Sequence, residues 1–155
     1  MWYNWFMRND FRLPWFGARS PKDYHFRLCE FEDKDGFACV DDRVIESLEG
    51  ARADLNRLSR REVQIVVTCG TRTEATNQRL GRELGWTDEG GIVARDSRHL
   101  PKYGGIAVDI YARYPDGTGW ARVPQDTLAS ACRHHFGYVK ADYEDGHVHA
   151  DNREA

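Results

Sequence analysis

Apolar residues recur along this chain at two spacings, and the switches between them mark the elements. Val44, Ile45, Leu48, Leu55 and Leu58 return at helical intervals behind Asp41-Asp42, either of which can cap a helix N-terminus. From Glu62 to Thr68 the pattern alternates and then runs apolar through Val63, Ile65, Val66 and Val67, as a strand does. The pattern predicts a second helix from Glu74 to Leu84 with Gly85 closing it, followed by a loop through Gly90-Gly91. The run Ile106-Ala107-Val108-Asp109-Ile110-Tyr111 predicts a strand over 105–112, and Pro115-Asp116-Gly117 a turn. Pro124 suits the first position of a helix that ends at Gly137. Tyr138 to Lys140 and His147 to Ala150 predict two short final strands, joined tightly at Glu144-Asp145-Gly146. Helices and strands interleaved without regular β-α-β alternation point to the α+β class, a small, mostly antiparallel sheet with flanking helices.

Residues 1–22 do not follow either spacing. They form an arm carrying Trp2, Tyr3, Trp5, Phe6, Phe11, Trp15 and Phe16, closed by Ser20-Pro21. Such aromatic density calls for burial, either back on the domain of residues 23–155 or on a larger assembly, because aromatic side chains are favoured anchors at interfaces. At 155 residues the chain fits one domain able to bury a core. Its net charge of -3, with both signs interspersed and no basic stripe, gives no electrostatic case for nucleic acid. No window is apolar for long enough to span a membrane. Met1 to Phe16 is broken by Asn4, Arg8, Asn9, Asp10 and Arg12 and lacks the apolar core of a secretory signal, so a protein made in the cytoplasm is expected.

The candidate chemistry lies in Ser97-Arg98-His99, in Asp109, and in the late His147-Val148-His149. Two imidazoles and one carboxylate suit Zn²⁺ and leave a fourth tetrahedral position open, the make-up of a catalytic site. A carboxylate between Val108 and Ile110 in a strand needs a partner to be buried. His147 and His149 alternate, so a strand would turn both to one face. Arg72 follows the strand that ends at Thr68, where a guanidinium can reach into a cleft and hold a carboxylate or an oxyanion bidentately. Cys29, Cys39, Cys69 and Cys132 are scattered and read as ordinary thiols. His25 with Cys29 and Cys39 is a weaker second metal candidate, and Cys69 a weak nucleophile without a matched His–Asn pair. His134-His135 suits a helix C-terminus electrostatically.

These residues resemble a known family, the zinc D-Ala-D-Ala carboxypeptidases of metallopeptidase family fifteen, which share a fold with phage cell-wall endopeptidases and the hedgehog signalling domain. The family pattern S-x-H, then G-x-A-x-D, then a late H-x-H is met by Ser97, His99, Gly105, Ala107, Asp109 and His149. Val66 to Thr73 followed by Asn77 is similar to the family's strand ending in S-G-Y-R-[ST], with Cys69 and Thr71 departing from it. The loop from Leu100 to Gly104 is longer than the family's by about three residues, an insertion whose closure entropy grows slowly with length.

The resemblance implies Zn²⁺ held by His99, Asp109 and His149, Arg72 as substrate anchor or oxyanion donor, and His147 as a supporting group, with the exchange of His147 and His149 left open. Glu144 is the expected general base and Asp145 its alternative. The implied substrate is a peptidoglycan stem or cross-link peptide. The lack of a secretory signal and of a wall-binding module fits a phage-encoded enzyme, an endolysin or a virion component, and the composition of the aromatic arm points to docking on a larger assembly such as the virion. The competing reading is a non-catalytic, zinc-stabilised structural or binding module.

Overall fold

The computed structural model describes residues 25–87 and 90–153, so the aromatic arm of residues 1–22 lies outside the described residues. Helix α1 spans Asp42–Ser59, with Asp41 as the cap: its side chain accepts from the Arg43 amide at 2.9 Å. Val44, Ile45, Leu48, Ala51 and Leu55 form its buried stripe, while Leu58, expected on that stripe, is exposed in the last turn. Strand β1 (Gln64–Cys69) leads to helix α2 (Glu74–Leu84), capped by Thr73. Strands β2 (Ala107–Asp116) and β3 (Gly119–Arg122) form a hairpin, helix α3 covers Gln125–Arg133, and β4 (Tyr138–Lys140) and β5 (Val148–Asp151) complete the set.

The class is α+β, as the periodicity implies: five antiparallel strands with three α-helices among the described residues. The strand order is β1-β2-β5-β4, with β3 also paired to β2. Asp109 lies opposite both Cys69 and His149, whereas Arg113 lies opposite both Gln64 and Arg122. Strands β3 and β5 therefore sit end to end along one edge of β2, separated by a short break beside Tyr111.

Val108, Ile110, Ala112, Val148 and Ala150 point to the core with the apolar faces of α1 and α3. Directly paired strand residues share a face, so Cys69, Asp109, His149 and Lys140 form one row across the opposite face. The sheet thus separates an apolar side that stabilises the fold from a polar side that carries the candidate chemistry.

Two expectations need correcting. Pro115-Asp116 belongs to β2, the turn falls at Gly117-Thr118, and Gly119–Arg122 form a strand, β3, that the apolar pattern does not mark. Proline is tolerated there because β1 pairs no further than Arg113, so no ladder bond on that side needs its missing N–H. Helix α3 ends at Arg133 rather than Gly137, because the amides of His135 and Phe136 both turn back to the Cys132 carbonyl.

Candidate metal centre

The S-x-H segment is a turn. The Ser97 hydroxyl accepts from the His99 amide at 3.3 Å and the Ser97 carbonyl from the Leu100 amide at 3.1 Å, which fixes the buried His99. The longer loop that follows folds into a 3₁₀ turn at Pro101–Tyr103 and buries Leu100. Gly105 then enters β2 with φ +75°, and a Cβ on it would stand 2.3 Å from the Cys39 carbonyl oxygen, so only glycine fits. Asp109 follows four residues on, in the middle of the sheet.

His99, Asp109 and His149 converge. His99 Nε2 is 3.1 Å from Asp109 Oδ1 and 3.2 Å from His149 Nδ1, and the latter is 2.8 Å from Asp109 Oδ1. The far nitrogens are occupied. His99 Nδ1–H donates to the Gly70 carbonyl at 2.8 Å, and His149 Nε2–H donates to Asp151 Oδ2 at 2.9 Å. Asp151 is itself gripped by Arg153 through both carboxylate oxygens. In these tautomers the three facing atoms all present lone pairs, so a proton or a cation must lie among them.

Donors about 2.0–2.1 Å from a common tetrahedral centre are separated by roughly 3.3 Å, close to the spacings found, so the trio fits zinc. Outer partners that orient each imidazole are the usual companions of such ligands. Cys69, His99 and Asp109 also form a cluster able to hold a metal ion, with ligand atoms within 4.8 Å of one another. Cys69 meets His99 at Nδ1, 3.7 Å away and on the nitrogen already given to Gly70, so the trio with His149 is the tighter set.

The surroundings reward positive charge at this point. Burial opposes a proton on His99, yet Asp109 and Cys69 push its pKa up to about 10. Burial also opposes charge on Asp109, yet His99 and His149 hold it well below the usual carboxylate range.

Arg72 reaches the same face. Its guanidinium lies 3.9 Å from Asp109 Oδ2 and 3.7 Å from Cys69 Sγ, its amide donates to the His99 carbonyl at 3.0 Å, and its Nε is buried with no hydrogen-bond partner among the described residues. His147 stacks on Tyr143 with ring centres 3.9 Å apart. Its Nδ1 lies 2.5 Å from Asp145 Oδ1, which leaves Nε2 turned to the site, 4.0 Å from Asp109 Oδ1. Glu144 is exposed at the turn and pairs with none of the described residues.

Sequence reasoning missed Asp33, Asp151, Arg153 and Gln125. Gln125 donates to the carbonyls of Tyr143 and His147 and so pins the turn between them. All four act through contacts remote in sequence or through partners without a motif. Asp151, two residues beyond His149 on the same strand face, was within reach of the alternation rule. His25 pairs with Glu49 and His135 with Asp54, as structural histidines do.

No family model matches the chain, and no curated protein does. Among solved structures it is similar to the Serratia marcescens L-Ala D-Glu endopeptidase ChiX, at 23% identity and a TM-score of 0.38, over 70% of this chain and 86% of that one.

Proposed function

We propose that the protein is a zinc-dependent peptidase that hydrolyses peptidoglycan stem or cross-link peptides. The observation that carries the metal is the convergence of three lone-pair donors, His99 Nε2, Asp109 Oδ1 and His149 Nδ1, each oriented from behind. The substrate class rests on the resemblance of Ser97, His99, Gly105, Ala107, Asp109 and His149 to the carboxypeptidase pattern.

A zinc ion held by the trio would supply Lewis-acid chemistry, polarising a peptide carbonyl and making water a nucleophile near neutral pH. Arg72 donates to the oxygen on which charge develops. Its buried Nε has no hydrogen-bond partner among the described residues and is a donor already desolvated, one element of the preorganisation that lowers a barrier. His147 presents Nε2 to the same space, its other nitrogen fixed by Asp145. Glu144 removes a proton from the attacking water and delivers it to the leaving amine. Its place on the turn beside His147, exposed and unpaired, leaves it free to swing. Asp145 is the alternative base, although its carboxylate is committed to His147.

Purified peptidoglycan digested with the protein and resolved by mass spectrometry tests the reading. New peptide termini should form, vanish with a chelator and return with zinc. Glu144→Gln should slow turnover by roughly two to four orders of magnitude. Loss of activity in Asp145→Asn alone would move the base by one residue, and no cleavage of any peptidoglycan by the wild type would leave the zinc-stabilised module in its place.

A further inference from the structure

The polar face of the sheet continues past the metal centre toward β3, and what stands there is cationic. Arg122, the last residue of β3, shares the face of Arg113, which lies opposite it, and of Tyr111 and Asp109, at alternate positions along β2. Its guanidinium lies over the Tyr111 ring at 4.6 Å from the centroid, in the break between β3 and β5. Arg113 is committed differently, with Nε donating to Gln64 and its guanidinium carbon 4.3 Å from the centre of the Trp120 ring. Arg122 is exposed and forms no ion pair among the described residues.

On its other side Arg122 meets Gly146: a Cβ there would be 3.8 Å from the guanidinium carbon and from one terminal nitrogen. Asp145, whose carboxylate feels the charge of Arg122, is kept ionised chiefly by the amide and ring of His147. The guanidinium therefore lies between the Tyr111 ring and Gly146, with no carboxylate paired to it among the described residues.

An arginine held this way has lost part of its rotamer freedom before any ligand arrives and keeps the planar fork that matches a carboxylate. We propose that Arg122 is a specificity residue of the peptidase site, binding a carboxylate that the peptide substrate carries about two residues from the scissile bond. The position follows from strand geometry. Tyr111 is two residues from Asp109, about 7 Å along β2, and an extended peptide crossing this face advances by the same ~3.4 Å per residue. The preferred substrate is then an acidic peptide, anchored by Arg72 at the reacting carbonyl and by Arg122 further along. This inference rests on the peptidase reading above.

The test compares two substrates, a muropeptide stem peptide with free carboxylates and the same peptide with its internal carboxylates converted to amides, on the zinc-loaded full chain. The wild type should show a KM for the free acid at least ~tenfold lower, with similar kcat, as expected for one charge-assisted hydrogen-bonded pair. Arg122→Gln should abolish that preference and Arg122→Lys keep part of it, while zinc content and melting temperature stay at wild-type values in both. Retention of the preference in Arg122→Gln, or equal KM values for the two peptides in the wild type, overturns the role of Arg122 and leaves the peptidase intact. Failure of the wild type to cleave either peptide overturns the peptidase reading itself.

Discussion

At the scale of single residues the site is defined by which nitrogen each histidine has free. His99 gives Nδ1 to Gly70 and His149 gives Nε2 to Asp151, so opposite ring atoms face one point. Asp109→Ala and His149→Ala should each lose most of the zinc bound by the purified protein, measured by metal analysis, and retention in both would refute the ligand set. Asp151→Asn should weaken zinc by roughly ten- to a hundredfold without removing a ligand, the usual effect of losing an outer partner. Arg72→Lys keeps the charge and loses the fork that the unpartnered Nε belongs to. Zinc content should be unchanged and turnover should fall by at least ~tenfold, equivalent to about 1.4 kcal/mol of transition-state stabilisation. A near wild-type rate would reduce Arg72 to a structural role.

Among the elements, the junction of β1 and α2 carries the most consequence, because Arg72 sits on it between Gly70 and the Thr73 cap. Gly70 is held against Phe31: a Cβ there would come within 2.7 Å of the Phe31 Cα. Asp33 secures the junction from outside, accepting from the Thr73 amide at 2.8 Å and from the hydroxyls of Thr73 and Thr76. Burial works against its charge, but these hydrogen bonds prevail and lower its pKa. A carboxylate whose folded pKa is depressed adds stability in full above its unfolded value. That stability is lost as pH falls through the folded value, so Asp33 should contribute from neutral pH down to about 4 and lose its effect below that. Asp33→Ala should cost about 1–3 kcal/mol at pH 7, read by denaturant unfolding, and the gap to wild type should narrow below pH 4. A constant gap from pH 7 to pH 2 would rule out the ionised carboxylate as the cause.

For the whole molecule, His99, Asp109 and His149 come from a turn and two strands, and a metal shared by them ties those segments together. Chelation should lower the melting temperature, and added zinc should restore it in proportion to the logarithm of its free concentration, by the linkage of binding to folding. An identical melting curve with and without chelator would argue against a resident metal. Among the described residues no helix is long and apolar enough to cross a membrane. Local patterning alone specifies much of this molecule. The apolar stripe of α1, the extent of α2, the run around Asp109 and the paired short strands near the C-terminus are nearest-neighbour properties, set by periodicities of 3.6 and 2 and by glycine and capping residues. What singles out His99, Asp109 and His149 together is their match to the S-x-H, G-x-A-x-D and H-x-H pattern, a resemblance of motif that periodicity by itself does not supply. Tertiary structure alone decides that Asp151 and Arg153 orient His149, that Asp145 rather than Glu144 holds His147, that Gln125 pins their turn, and that Arg122 faces the site from a strand the pattern did not reveal. These relations depend on strand register and on pairings between segments far apart in the chain, and a spacing rule carries no information about which distant segment a side chain will meet.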